Sequence, residues 1–330
     1  MHPVVRSFRT KIVEGRFIPI IASFGVIIMR VALYLRVEVP QIILADNNYL
    51  WNPIADYFSN RTLSFISSTL SVFIISGILS LLNSKFNLIR ARSALPFAAS
   101  LFLFSIHPYF LVMTGNYISI IFILLAFFPF LESYQKTDSY LYSFRSAILI
   151  AIASLFQIYA LLLIPLWWNG ERTMRGPQTR SFLSSVFGLT LVYISVFSLF
   201  FLFDNREGFL QPFLSFAAFS IPEMPDFSTL EWVAVAFIGI FFIVNMTLSV
   251  KIYSRDKVLS LNFMQFILFL IILLLLLQVV YWEQTLFFFM LSLTLISYLN
   301  AYLYTSTNSK FHISFAYAMM AVMLVIYFLQ

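Results

Sequence analysis

Ten apolar runs of membrane-spanning length follow one another along the chain, at 17–35, 62–82, 94–112, 116–133, 146–168, 182–203, 229–250, 259–280, 285–304 and 312–329. A helix rises about 1.5 Å per residue, so about 20 apolar residues cross the roughly 30 Å hydrocarbon layer of a bilayer. The connections leave no room for a soluble domain, the longest being 36–61 and 204–228. The expected fold is therefore all-α: a single integral membrane domain over 1–330, built as a polytopic bundle of 10–11 membrane segments.

Composition agrees with this reading. Charged residues make up 10% of the chain and hydrophobic ones 61%, where a soluble domain carries about 25% charged residues. The sequence pI of about 9.4 raises the question of a nucleic-acid partner. The basic residues fall in short clusters between apolar runs, however, which is the pattern of cytoplasmic membrane anchoring, so no nucleic acid is expected. The absence of cysteine excludes disulfides, Cys-based metal sites and thiol catalysis. Residues 1–16 are basic, and the run that follows has no small-residue cleavage site, so it is expected to remain as the first anchor.

Lys and Arg set the orientation. Arg6, Arg9, Lys11 and Arg16 place the N-terminus in the cytoplasm, so that 36–61 becomes the first outer loop. The alternation then fails at 146–168. A single span there puts Arg172, Arg175 and Arg180 outside and inverts every later loop. A bent pair of short helices over 144–168, entering and returning to the same side, repairs the pattern. Sixteen of the 20 Lys and Arg residues then face the cytoplasm, and 204–228 becomes the second outer loop. Ser154 and Gln157 near the middle suit the turn. The expected location is the bacterial inner (cytoplasmic) membrane.

The outer side gathers the candidate chemistry. Asp46, in LADNNYLW, reads as a general base or as a ligand of a divalent cation, and equally as a solvated turn acid. WNPIADYF reads as a short amphipathic helix lying in the interface, carrying Asp56. His107 in HPY is an ionisable group in an apolar run, where such groups are functional candidates; the alternative is a backbone-bonded histidine beside Pro108. Arg30 within the first span either snorkels outward or meets a phosphate from inside the bundle. Gln157, Arg206 and Glu283 (in YWEQ) complete the candidate binding set. No Walker-type loop, HExxH or GxSxG occurs, which argues against ATP-driven transport and against zinc or serine hydrolysis.

The order of these features carries a resemblance. A basic N-terminus and one span precede LADNNYLW; a return span precedes FNLIRARSALPFAASLFLFSIHPYF; a short outer turn precedes FRSAILIAIASLFQIYALLLIPLWW. Over about residues 15–205 this resembles an uncharacterised family of multi-pass inner-membrane proteins from Bacteroidetes-type bacteria. More distantly it is similar to the GT-C superfamily of glycosyltransferases that use polyprenyl-phosphate sugars. That resemblance implies a catalytic acid in the first outer loop, at Asp46, and a short helix pair after the third and fourth spans. The chain departs from the pattern in having Asn47 where a second acid is usual, and in lacking a soluble C-terminal domain. The expectation is a GT-C-like glycosyltransferase acting on membrane lipid at the outer face. The readings of other classes are a non-enzymatic subunit that assembles an envelope complex with a membrane-protein partner, and a lipid or small-solute transporter.

Overall fold

Apolar runs with few glycines fold as helices in lipid because a helix satisfies its own backbone groups. The computed structural model describes residues 3–37, 48–89, 93–136, 139–217, 219, 229–254, 256–307 and 309–329. Among these the fold is helical throughout. After α1 (Pro3–Phe8) come α2 (Ile18–Arg36), α3 (Asn52–Ala55), α4 (Arg61–Phe86), α5 (Leu95–Leu103), α6 (Gly115–Glu132), α7 (Tyr140–Phe156) and α8 (Ile164–Arg175). The chain continues through α9 (Thr179–Leu202), α10 (Arg206–Leu214), α11 (Thr229–Tyr253), α12 (Val258–Val280), α13 (Thr285–Ser306) and α14 (Lys310–Leu329). Among the described residues seven helices are long and apolar enough to cross a membrane, and α7 and the Gly239–Tyr253 part of α11 are shorter apolar helices. The protein is thus a multi-pass membrane bundle. Its central helix is α13, buried over most of its length, while α2, α9 and α14 expose most of theirs.

Contacts define two ends. At one, Lys85 pairs with Glu132, Arg175 reaches Ser139 and Ser143, Ser260 donates to the Leu88 carbonyl, and Val5 and Phe8 pack on Ile313. Most Lys and Arg residues of the described loops lie there. At the other end Gln157, Asn116 and Gln284 meet, and the carbonyls of Phe209 and Phe216 accept from Tyr49 and Tyr281.

The expected bent pair is present. The helix α7 stops at Gln157, whose φ of −152° and ψ of 102° are extended. A 3-10 segment, Ile158–Leu163, then leads into α8. Glu171 accepts from Ser143 at 2.9 Å and from Ser146 at 3.1 Å, so α8 ends beside the start of α7. The chain doubles back, and the pair runs over Tyr140–Arg175 rather than 144–168.

The third run departs from expectation. Residues 94–112 do not form one helix: α5 has nine residues, and a 3-10 turn, Pro108–Leu111, follows the break. Pro108 disfavours helical backbone at the preceding residue, and His107 is extended at φ −123°, ψ 140°. Such irregular backbone at membrane depth must be satisfied by other parts of the protein. A polar stripe on α4 does this. Ser64 accepts from the Met113 amide at 2.7 Å, and Ser68 donates to the Leu111 carbonyl at 2.8 Å. The spacing of Ser64, Ser68 and Ser71 is that of one helix face, and all three are buried.

WNPIADYF also differs from the expected single amphipathic helix. It divides into α3 and a 3-10 turn, Asp56–Ser59. Trp51 does not lie in the interface: it is 1% exposed and stacks on Phe58 with ring centroids 5.3 Å apart. Tyr57 is the aromatic residue of this stretch that faces outward.

Candidate functional site

Helix ends leave backbone donors and acceptors without partners, and primary amides can supply both kinds of bond. Four amide side chains meet where four elements end. Gln157 is the residue that follows the C-terminus of α7, Asn116 lies in the first turn of α6, Gln284 is the residue before α13, and Asn48 precedes α3. Gln157 Nε2 donates to Asn116 Oδ1 at 2.9 Å and to Gln284 Oε1 at 3.1 Å. Asn48 Nδ2 donates to Gln157 Oε1 at 3.4 Å, and Asn48 Oδ1 accepts from the Ile158 amide at 3.0 Å. The Leu50 amide donates to the Leu155 carbonyl at 3.0 Å. The first loop is therefore tied to the tip of the hairpin.

Close packing finishes the joint. A Cβ on Gly115 would stand 2.6 Å from the Phe156 carbonyl oxygen and 3.0 Å from Trp51 Cγ. Only glycine lets α6 start this near to the hairpin tip and to Trp51.

Next to the joint is a lateral apolar groove of about 490 Å³ lined by Leu161, Leu189, Tyr193, Phe197, Phe209 and Phe213, among others. It opens between the hairpin, α9 and the short helix α10. Tyr49 forms part of its support. Its hydroxyl donates to the Phe209 carbonyl at 2.5 Å, and its ring lies 6.3 Å from Tyr193, 5.8 Å from Phe209 and 6.4 Å from Phe213. Burial pushes the Tyr49 phenol above its ordinary range, and the Tyr193 hydroxyl adds to the rise. Tyr49 is thus a neutral donor at any physiological pH.

The expected site residues do not all converge. Asp46 lies outside the described residues. Gln157 is the centre of the amide joint and is 1% exposed. Arg30 is fully buried and committed elsewhere: Nε donates to Thr69 Oγ1 at 2.9 Å, Nη1 to the Phe104 carbonyl at 2.8 Å, and Nη2 to Ser68 Oγ at 2.9 Å and the Phe110 carbonyl at 2.8 Å. Four of its five N–H groups are thus spent on protein acceptors, so Arg30 neither snorkels nor presents a face to a phosphate. His107 Nδ1 accepts from the Tyr109 amide at 3.3 Å, and its ring stacks on Tyr109 with centroids 5.1 Å apart. Asp56 and Glu283 are exposed, the latter next to Gln284. Arg206 is exposed in the first turn of α10, with its guanidinium 4.8 Å from the Phe201 ring centroid. Among the described residues no three His, Asp or Glu side chains group to hold a metal ion.

Sequence reasoning passed over Asn48, Asn116 and Gln284, because neutral amides in loops look like ordinary turn formers. It also passed over Glu171, which is 4% exposed and pairs with Arg175 one helical turn later. The four-residue spacing within NGERTMR was the available signal. Comparison of the chain with protein-family models, curated proteins and solved structures finds no match.

Proposed function

We propose that the chain is a GT-C-like membrane glycosyltransferase that takes a sugar from a polyprenyl-phosphate donor at the outer face of the bacterial inner membrane. The observation that carries this reading is the position of the apolar groove. Its Tyr193, Phe209 and Phe213 walls touch Tyr49, and Tyr49 is three residues from Asp46 in the chain. An isoprenoid chain is an apolar ligand of the kind such a groove buries, and its phosphate would then lie near the first loop. The gathering of Lys and Arg at the opposite end supports a cytoplasmic N-terminus and an outward-facing groove.

In this mechanism the acceptor hydroxyl attacks the anomeric carbon of the donor sugar. Asp46 takes the hydroxyl proton as general base. The bond from the anomeric carbon to the phosphate oxygen breaks, and polyprenyl phosphate leaves with the electron pair. Arg206, exposed at the start of α10, is the cation suited to that leaving charge. Arg30, enclosed by its own acceptors, has no role in the step.

The test is photolabelling of the purified protein with a diazirine-bearing polyprenyl phosphate, with the attachment site read by mass spectrometry. Label on α9 and α10 around Tyr193 and Phe209, reduced at least several-fold by Thr190→Trp in the groove lining, is the expected result. Label spread evenly over the exposed faces of α2 and α14, indifferent to Thr190→Trp, counts against the proposal.

A further inference from the structure

The basic end of the bundle carries a second concave site, which glycosyl transfer does not use. Arg175 ends α8, and Gly176 then turns at φ 83°, a left-handed backbone that favours glycine. Pro177 and Gln178 lead straight into α9. Between the end of α8 and the start of α9 lies a groove of about 390 Å³, with Trp168, Arg172, Arg175, Gln178, Thr179 and Phe182 in its lining.

Its two halves differ in chemistry. On the apolar side, Trp168 and Phe182 meet edge to face with centroids 4.7 Å apart, and the indole N–H donates to Ser185 Oγ at 2.7 Å. On the polar side, the one acid of the lining, Glu171, is buried, paired with Arg175 and hydrogen-bonded by the Ser143 and Ser146 hydroxyls. Arg172 is exposed and engages no side-chain partner among the described residues. Arg180, also exposed, lies in the first turn of α9 outside the lining. The groove therefore holds uncompensated positive charge beside an aromatic pair.

Its depth follows from the sequence of α8. Within IPLWWNGERTMR the half-buried Trp168 is followed one helical turn later by the exposed Arg172. Tryptophan near the end of an apolar run marks the level of the lipid headgroups, and basic pockets at that level attract anionic lipid.

We propose that this groove binds the phosphodiester headgroup of an anionic phospholipid, with Arg172 neutralising the phosphate and Trp168 and Phe182 receiving the first part of an acyl chain. The bound lipid would brace the open end of the re-entrant hairpin. The inference stands apart from glycosyl transfer and survives if that reading fails.

The experiment uses the full chain purified in mild detergent, with phosphatidylglycerol and phosphatidylcholine as probes and retained lipid counted by native mass spectrometry. Phosphatidylglycerol is expected to be retained at least several-fold over phosphatidylcholine. The preference should fall away in Arg172→Gln and persist in Arg180→Gln, which removes as much charge from the same end outside the groove lining. Equal retention of the two lipids would overturn the proposal, as would a preference unchanged in Arg172→Gln. Displacement of the lipid by millimolar inorganic phosphate would equally overturn it, by assigning the groove to a free anion.

Discussion

Arg30 on α2 donates to the carbonyl of Phe104, 74 residues away, at the point where α5 stops. The same guanidinium reaches Phe110 beyond the break, so one side chain spans the interruption and binds the backbone on both sides of it. A buried charge in lipid is costly unless its hydrogen bonds are met. Here they are met by two hydroxyls and two carbonyls; the Phe104 carbonyl takes its bond from Arg30, while that of Phe110 also accepts from the Tyr117 hydroxyl at 2.7 Å.

Arg30→Met should therefore destabilise the protein by about 1–3 kcal/mol, since the buried Phe104 carbonyl loses its donor while that of Phe110 keeps Tyr117. Arg30→Lys should recover only part of that, because a compact ammonium cannot serve acceptors laid out for a planar fork. Thermal unfolding in detergent, followed by tryptophan fluorescence, reads both. Melting of Arg30→Met at the native temperature would show that the break needs no clamp.

Gln157→Leu should release the first loop from the hairpin tip. Asn116, Gln284 and Asn48 each lose a partner, for an expected cost of about 1–3 kcal/mol. In a double-mutant cycle with Gln284→Leu the coupling should be about 0.5–2 kcal/mol, and strictly additive effects would show that the two amides do not act together.

Gly115→Ala and Gly77→Ala make a matched pair. An added methyl at 115 meets the Phe156 carbonyl oxygen at 2.6 Å, whereas at 77 nothing lies within 4 Å. The first should cost about 1–3 kcal/mol through overpacking. The second should be neutral or stabilising by up to about 1 kcal/mol through helix propensity. Equal melting of the two variants would remove the close approach of Trp51 and α6 from the account.

The chain has no cysteine, so each introduced thiol reports alone. Cysteines replacing Lys136 and Pro177, which flank the hairpin, should react with a membrane-impermeant maleimide from the same side. Cysteines at Tyr57 and Phe203 should react from the other. Labelling of Pro177→Cys together with Tyr57→Cys would convert the hairpin into a single span.

Much of this frame was legible in the residues because lipid imposes length and charge rules that each segment obeys locally. The hairpin could be read from Arg172, Arg175 and Arg180, and its turn from Gln157. Arg30 stood out as an intramembrane cation, but its partners did not, because two of them are backbone carbonyls that no residue type encodes. Pro108 signalled the break in the third run, and the apolar residues around it concealed that signal. The amide joint was hidden for another reason: Asn48, Asn116 and Gln284 come from three separate connections, and only tertiary packing brings them to Gln157. Trp51 was misplaced in the interface because the sequence does not show the space that Gly115 clears for it.

The most direct test of the central claim is complementation of a deletion strain of the native host with the wild-type chain and with Asp46→Asn, at matched membrane levels. Polyprenyl-phosphate sugars and envelope glycans would be measured by mass spectrometry. The account predicts that a lipid-linked sugar accumulates in the deletion strain, that the wild type clears it and that Asp46→Asn does not. Full clearance by Asp46→Asn, or a deletion that alters no lipid-linked sugar and no glycan, would contradict it.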